Sequence, residues 1–419
     1  MSNISSKVLN NKIDIEISNI IEKEVSRLNT QITLIASENF ASPAVMKAMD
    51  NVLTNKYAEG YPGHRYYEGC ENADMVESIA KERLNKIFGS SYCNVQPHSG
   101  VQANTGVFLS ILKPRDKILS MNLKDGGHLS HGHVMNLSGK YYEIHSYCVD
   151  EKTEMIDYEN ILALTKKVRP KMIIAGASSY PRTIDFKKFR EIADEVGAYL
   201  MADIAHIAGL IAGGVHPTSI GVSDFTTGTT HKTLRGPRGG FIIAEPKYQH
   251  LIDEAMFPGV QGGPLMHMIA SKAVAFQEVL DPSFKDYAKK IVSNAKILCD
   301  YLKNEGFKIV SGGTDNHLFL IDLRPLDMTG NQVSQALASV GIILNKNVIP
   351  FDKLSPSLTS GVRIGTPSVT SRGMGEKEMI KIGELISYTI KNIGNLSKLA
   401  EVNKKVLDLT KHFPIYASD

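Results

Sequence analysis

Residues 171–206 read KMIIAGASSYPRTIDFKKFREIADEVGAYLMADIAH. Two apolar runs of strand length, Met172–Ala177 and Tyr199–Asp203, frame a stretch in which Phe186, Phe189, Ile192, Ala193 and Val196 recur at helical spacing. Apolar residues three and four apart share a helix face, whereas a short unbroken apolar run fits a strand buried on both sides. Strand, helix and strand in that order predict a parallel pair with a crossover helix. Working outward, Lys117–Asn122, Asp224–Thr227 and Phe241–Ala244 are further strand candidates, so residues 90–245 read as alternating strands and helices. The fold class is α/β, with a mostly parallel central sheet between helices in a large domain. Ligands of such folds sit at the carboxyl ends of the strands, so chemistry is expected just after each strand.

The flanks complete the organisation. Residues 11–29 read as an amphipathic helix, with Ile17, Ile20, Ile21, Val25 and Leu28 on one face. The segment VLDPSF (279–284) interrupts two helical stretches and marks a boundary; a helix over Tyr287–Asn304 follows, then a smaller C-terminal α/β domain. The expected division is a helical arm over 1–29, a large domain over 30–283 and a small domain over 284–419. A chain of 419 residues with 42% hydrophobic and 22% charged residues is an ordinary globular composition. A net charge of +3 without a run of five like charges argues against nucleic-acid binding. No apolar stretch approaches the roughly 18 residues of a membrane span. Cys70, Cys93, Cys148 and Cys299 form no CxxC, which fits reduced thiols. A soluble cytoplasmic enzyme is expected.

Several constellations could carry chemistry. Asp203-Ile204-Ala205-His206 follows a strand directly, where the acid either caps a helix or faces a ligand. Lys232 sits in Thr229-Thr230-His231-Lys232-Thr233, ahead of RGPRGG (235–240). A lysine amine held at a strand end can form a Schiff base with an aldehyde. A buried carboxylate can keep the ring nitrogen of pyridoxal phosphate protonated, so Asp203 and Lys232 together suggest that cofactor. His98-Ser99-Gly100 opens a helix whose free N–H groups could bind phosphate, and the glycine-rich stretch 259–264 could approach an anion or form a turn. GGHLSHGH (126–133) offers three histidines for a metal, or an imidazole to stack on a flat cofactor. Arg363, in SGVRIGTP (360–367), needs a carboxylate mate, either internal or from an amino-acid substrate. TNKYAEGYPGHRYY (54–67) reads as an ordered loop for binding or an intersubunit contact.

In order along the chain, LIASEN (34–39), TNKYAEGYPG, NVQPHSG, GGHLSHG, MADIAH, TTHKTLRGPRGG, QGGPLMH, SGGTDNHLFL and SGVRIGTP resemble serine hydroxymethyltransferase, a fold-type-I pyridoxal-phosphate family. The resemblance implies that Lys232 holds pyridoxal 5'-phosphate, Asp203 meets its ring nitrogen and His128 stacks on the ring. It places His206 and Ser178 near the phenolic oxygen, Ser99 and Gly100 at the phosphate, and His231 beside the cofactor. Tyr57, Gly263 and the acid–base group Glu59 would come from a second subunit of a homodimer. Arg363 and Ser37 would take the carboxylate of L-serine or glycine, with Tyr67 nearby. Leu123, Gly127, Leu129, Asn347, Ser355 and Ser357 would line the tetrahydrofolate side. The implied reaction converts L-serine and tetrahydrofolate to glycine and 5,10-methylenetetrahydrofolate, with no metal.

Two positions depart from the family pattern. Val101 stands where a serine usually follows HSG, and Ser357 stands where SPF is common. Three other readings remain open at this level. One is a folate-independent aldolase of the threonine aldolase type. Another is a metal-dependent hydrolase built on His128, His131 and His133. The last is a scaffold that binds RNA.

Overall fold

The computed structural model describes residues 14–416. Positions 11–13 of the expected first helix lie outside the described residues. The helix itself runs Ile15–Thr30, capped by the Asp14 carboxylate. Ile17, Ile20, Ile21 and Val25 are exposed on it.

Seven strands build the central sheet: β1 (Tyr92–Asn94), β2 (Lys117–Met121), β3 (Glu143–Tyr147), β4 (Met172–Gly176), β5 (Tyr199–Asp203), β6 (Phe225–Thr229) and β7 (Gly240–Ala244). Their spatial order is β1-β7-β6-β5-β4-β2-β3. β7 runs antiparallel to both of its neighbours, and the remaining pairs are parallel. Alternation along the strands divides the core. Leu119, Ile173, Ala175, Leu200 and Ala202 face one layer with Phe186 and Phe189. Ile118, Met172, Ile174, Met201 and Phe225 face the other, with Val107 and Phe108 of the helix Gly100–Ile111. Side chains of period two on a sheet covered on both faces must be apolar throughout, which is why these strands read as continuous apolar runs.

The strand expectations differ from the structure in instructive places. β5 matches, while β2 and β4 each end one residue earlier than expected. β6 covers Phe225–Thr229 rather than 224–227, its ladder with β7 continuing through Gly228 and Thr229. β1 and β3 carried no recognised signal. β1 has three residues, and β3, at the sheet edge, reads EIHSY with charged and polar members. The long helix begins at Ser283, four residues before the expected start, directly after the helix Met266–Leu280.

A second sheet of β8 (Lys308–Ile309), β9 (Leu318–Asp322), β10 (Asn345–Asn347) and β11 (Gly361–Gly365) has the order β8-β9-β11-β10, all antiparallel. Its core includes Phe319, Ile321, Val362 and Ile364. Ile32 and Leu34 share that core, and Ile32–Thr33 pairs in parallel with Ile342–Ile343. The N-terminal strand segment thereby lies beside Ile342–Ile343 and reaches the end of β11. The Gly365 N–H donates to Leu34 O at 2.8 Å. A Cβ at Gly365 would stand 2.4 Å from Ala36 Cα, so only glycine admits this approach. Ser37 is carried with the segment to the mouth of the site.

Candidate active site

The carboxyl ends of β4, β5 and β6, the start of the helix Gly100–Ile111 and β11 converge on one cavity of about 440 Å³. Ser37, Ser99, Gly100, His128, Ser178, Asp203, His206, His231, Lys232 and Arg363 all line it. These are ten of the residues singled out in the sequence, drawn from distant positions.

Asp203 ends β5 and is buried. One carboxylate oxygen, Oδ2, accepts from His131 Nε2 at 2.8 Å and from Asn104 Nδ2 at 2.8 Å. The other, Oδ1, accepts the Ala205 N–H at 3.0 Å, so the residue also caps the following turn. Burial acts to raise its pKa, but the His131 hydrogen bond and charge, helped by Asn104, outweigh it and hold the carboxyl well below the usual range. Asn104 is itself fixed by Thr227 Oγ1, which donates to its Oδ1 at 2.6 Å, and it donates to Ser130 Oγ at 2.8 Å.

Four other polar groups face the same space. Burial, aided by nearby positive charge, pushes the His128 imidazole down to about 4, leaving it neutral. Its Nδ1 lies 2.7 Å from Ser130 Oγ. His206 is also kept neutral by burial, and its Nδ1 is 3.1 Å from Nε2 of His317. The two rings stack at 5.4 Å, and His317 Nδ1 has no partner among the described residues. Burial lowers the Lys232 amine to about 8, with Asp203 partly offsetting this. Burial likewise lowers Arg363 to about 10. Arg363 donates from Nε to Asn345 Oδ1 at 3.0 Å and from Nη1 to Ser178 O at 2.7 Å. Among the described residues no carboxylate pairs with it, which removes the internal-partner reading left open in the sequence.

Ser99 caps the helix Gly100–Ile111 by accepting the Gln102 N–H at 3.2 Å. The N–H groups of Gly100 and Val101, in the first turn, have no helical acceptor and border the cavity. A Cβ at Gly100 would come within 2.7 Å of Thr229 Cγ2, so the closeness of helix and β6 depends on glycine. Such a helix start is an anion site by construction.

The remaining expected residues do not line this cavity. Tyr57, Glu59, Tyr67 and Gly263 form a separate group in the same chain. Tyr67 OH donates to Glu59 Oε2 at 3.3 Å, the Tyr57 and Tyr67 rings meet edge-on at 5.4 Å, and a Gly263 Cβ would lie 3.4 Å from Tyr57. Tyr57 and Tyr67 are 59% and 48% exposed, more than a finished aromatic cluster requires. Leu123 and Leu129 are exposed, Gly127 packs on the backbone of Met121, and the Ser355 and Ser357 hydroxyls bond each other at 2.8 Å. Asn347 sits beside Arg363's support, accepting from Asn345 Nδ2 at 3.2 Å. Lys124 Nζ donates to Asp352 O at 3.0 Å, which ties the Leu123 turn to the Ser355 loop.

The triple-histidine arrangement does not form. His133 Nδ1 accepts from the Met135 N–H at 3.3 Å, away from the others. The three groups that do come together, His128, His131 and Asp203, are spanned by hydrogen bonds to one another or to Ser130. Asn104, Thr227 and His317 carried no role in the sequence reading, although His317 lay inside the quoted SGGTDNHLFL and Thr227 closed a strand candidate.

The donor set fits pyridoxal phosphate. A lysine amine of lowered pKa, an ionised aspartate, a neutral imidazole and an anion-binding helix start share one cavity. Fold and site together define a pyridoxal-phosphate-dependent enzyme of fold type I. The sequence model of the serine hydroxymethyltransferase family matches residues 10–386, and the chain belongs to that family. No helix among the described residues is long and apolar enough to cross a membrane.

Proposed function

We propose that this protein converts L-serine and tetrahydrofolate to glycine and 5,10-methylenetetrahydrofolate, as its family membership suggests. The observation that carries the reading is Arg363, a partly buried guanidinium without a carboxylate mate, facing Lys232 and Asp203 across one cavity. A bidentate carboxylate satisfies such a group, and an α-amino acid brings one.

Bound to Lys232, pyridoxal phosphate supplies an electron sink for the pair released when the serine Cα–Cβ bond breaks. The chain's own residues do the rest. Asp203 stays ionised beside His131 and Asn104, and so holds a proton on a ring nitrogen placed against it. His128 is neutral, so it can stack without adding a competing charge. Lys232, near 8, can give up and retake a proton close to neutral pH. Arg363 orients the amino acid, held by Asn345 and the Ser178 carbonyl so that its free nitrogen is aimed. Glu59, hydrogen-bonded by Tyr67, would handle the proton of the serine hydroxyl.

Glu59, Tyr57 and Tyr67 are exposed or half-exposed and stand apart from the Lys232 cavity of their own chain, which supports a homodimer in which each subunit completes the other's site. The exposed apolar stripe of Ile15–Thr30 is consistent with burial in such a dimer. The tie from Lys124 to Asp352 supports a joint folate surface of the Leu123 turn and the Ser355 loop.

The test measures glycine formed from serine with and without tetrahydrofolate, on wild type and Arg363→Ala. Folate-dependent glycine that is lost in the variant is expected. Cleavage indifferent to folate would make the protein a folate-independent aldolase, and would point to Ser357 as the missing folate contact.

A further inference from the structure

Lys272, on the helix Met266–Leu280, is among the most deeply buried large side chains. Its Nζ donates to three backbone carbonyls, Val95 O at 2.6 Å, Gly240 O at 2.9 Å and Pro97 O at 3.1 Å. These use all three ammonium donors. Among the described residues no carboxylate touches it; that of neighbouring Glu77 is held instead by Arg65 at 2.7 Å. A buried cation without a contacting anion is costly, and burial lowers this amine to about 7, so the three carbonyls are what favour its charged form. The surrounding backbone is nonetheless shaped around it, since a Cβ at Gly239 would stand 2.3 Å from Lys272 Cε.

What the ammonium grips is the loop leading into the helix Gly100–Ile111. The carbonyls of Val95 and Pro97 turn onto Lys272, and that of Gln96 accepts from Gln261 Nε2 at 3.0 Å. Gln261 Oε1 takes the His98 N–H at 2.9 Å. Three successive carbonyl oxygens are thus tied up inside the protein, while the N–H groups of Gly100 and Val101 border the cavity. A carbonyl bonded to an ammonium also polarises its own peptide unit, here strengthening the N–H groups of Gln96 and His98, which donate to Asn94 Oδ1 and Gln261 Oε1 and so fix the loop.

We propose that Lys272 is a positioning residue for the cofactor phosphate: it keeps the Val95 and Pro97 carbonyls away from the anion, beside Gln261 on that of Gln96, and sets a buried positive charge behind the donors that receive it. This rests on the reading of Ser99–Val101 as the phosphate cradle.

The experiment compares dissociation constants of pyridoxal phosphate and of pyridoxal, which lacks the phosphate, for the full-length apo-protein. Wild type, Lys272→Met and Gly239→Ala are measured; the last drives a methyl against the lysine stem and serves if the first does not fold. Lys272→Met is expected to weaken pyridoxal phosphate about tenfold or more, the weight of one charge-assisted hydrogen bond, and to leave pyridoxal within about twofold. Equal weakening of both ligands would reduce Lys272 to a core-packing role and overturn the proposal, as would no change in either. A wild type that binds both ligands equally would instead overturn the cradle reading beneath it.

Discussion

Replacing Asn104 with alanine removes the only side chain among the described residues, besides His131, that donates to the Asp203 carboxylate. A hydrogen bond to a charged group contributes about 1.5–3 kcal/mol. At about 1.4 kcal/mol per pKa unit, losing it raises the Asp203 pKa by about one to two units. That carboxyl starts well below the usual range, so it remains ionised at neutral pH in the variant. Activity at pH 7 therefore falls only modestly, and the effect is read in the acid range, where the carboxyl takes up its proton about one to two pH units earlier as pH falls. Stability follows the same sign. A depressed carboxyl pKa contributes stability that is complete above the unfolded value near 4 and fades as pH falls towards the folded value. In Asn104→Ala that fading is smaller in total and complete at higher pH. Thr227 Oγ1 and Ser130 Oγ also lose a buried partner, adding about 1–3 kcal/mol of destabilisation at all pH values. The assay is serine cleavage at pH 7 and thermal unfolding followed from about pH 2 to 6. Thr227→Val, which deletes the donor that orients Asn104, supplies a double-mutant cycle. The pair should be strongly non-additive, with the double variant close to Asn104→Ala. A loss of stability in Asn104→Ala that is the same at every pH from about 2 to 6 would refute the coupling to Asp203.

Three other substitutions or titrations test the site separately. His317→Leu strips His206 Nδ1 of its buried partner; a loss of about 1–3 kcal/mol in stability and a fall in kcat larger than any change in KM are expected, and unaltered melting would show the ring pair is idle. Loading of the apo-protein with pyridoxal phosphate should speed up about tenfold per pH unit and level off near the Lys232 value of about 8, since only the neutral amine attacks; a rise continuing towards 10 in stopped-flow absorbance would contradict the buried-lysine account. Val101→Ser adds a hydroxyl at the first turn of the anion-binding helix, so the cofactor should dissociate more slowly than from wild type, and equal dissociation constants would remove any role for that position.

What could be read from the sequence follows from how local its cause is. β4 and β5 announce themselves because both faces of the sheet are covered, and apolar continuity is the consequence. Asp203 and Lys232 are legible because strand ends are where an α/β sheet presents ligands. Asn104 and His317 are not, because their roles come from contacts made 99 and 111 residues away in sequence. An asparagine in a helix carries no sign of which carboxylate it will meet. The edge strand β3 escapes for the opposite reason: with one neighbour only, it tolerates Glu143 and His145, and its polar alternation resembles a loop. Arg363 lies between these cases. Its motif signals a need for an anion, yet whether the chain itself meets that need is decided only when β10 and β11 pair and bring Asn345, a neutral group, to its Nε. The choice of a neutral support matters chemically. An internal aspartate at Asn345 would satisfy the guanidinium and shut the site to an incoming carboxylate. Asn345 and the Ser178 carbonyl hold the fork in place and leave its charge unpaired among the described residues, as the proposed substrate carboxylate requires.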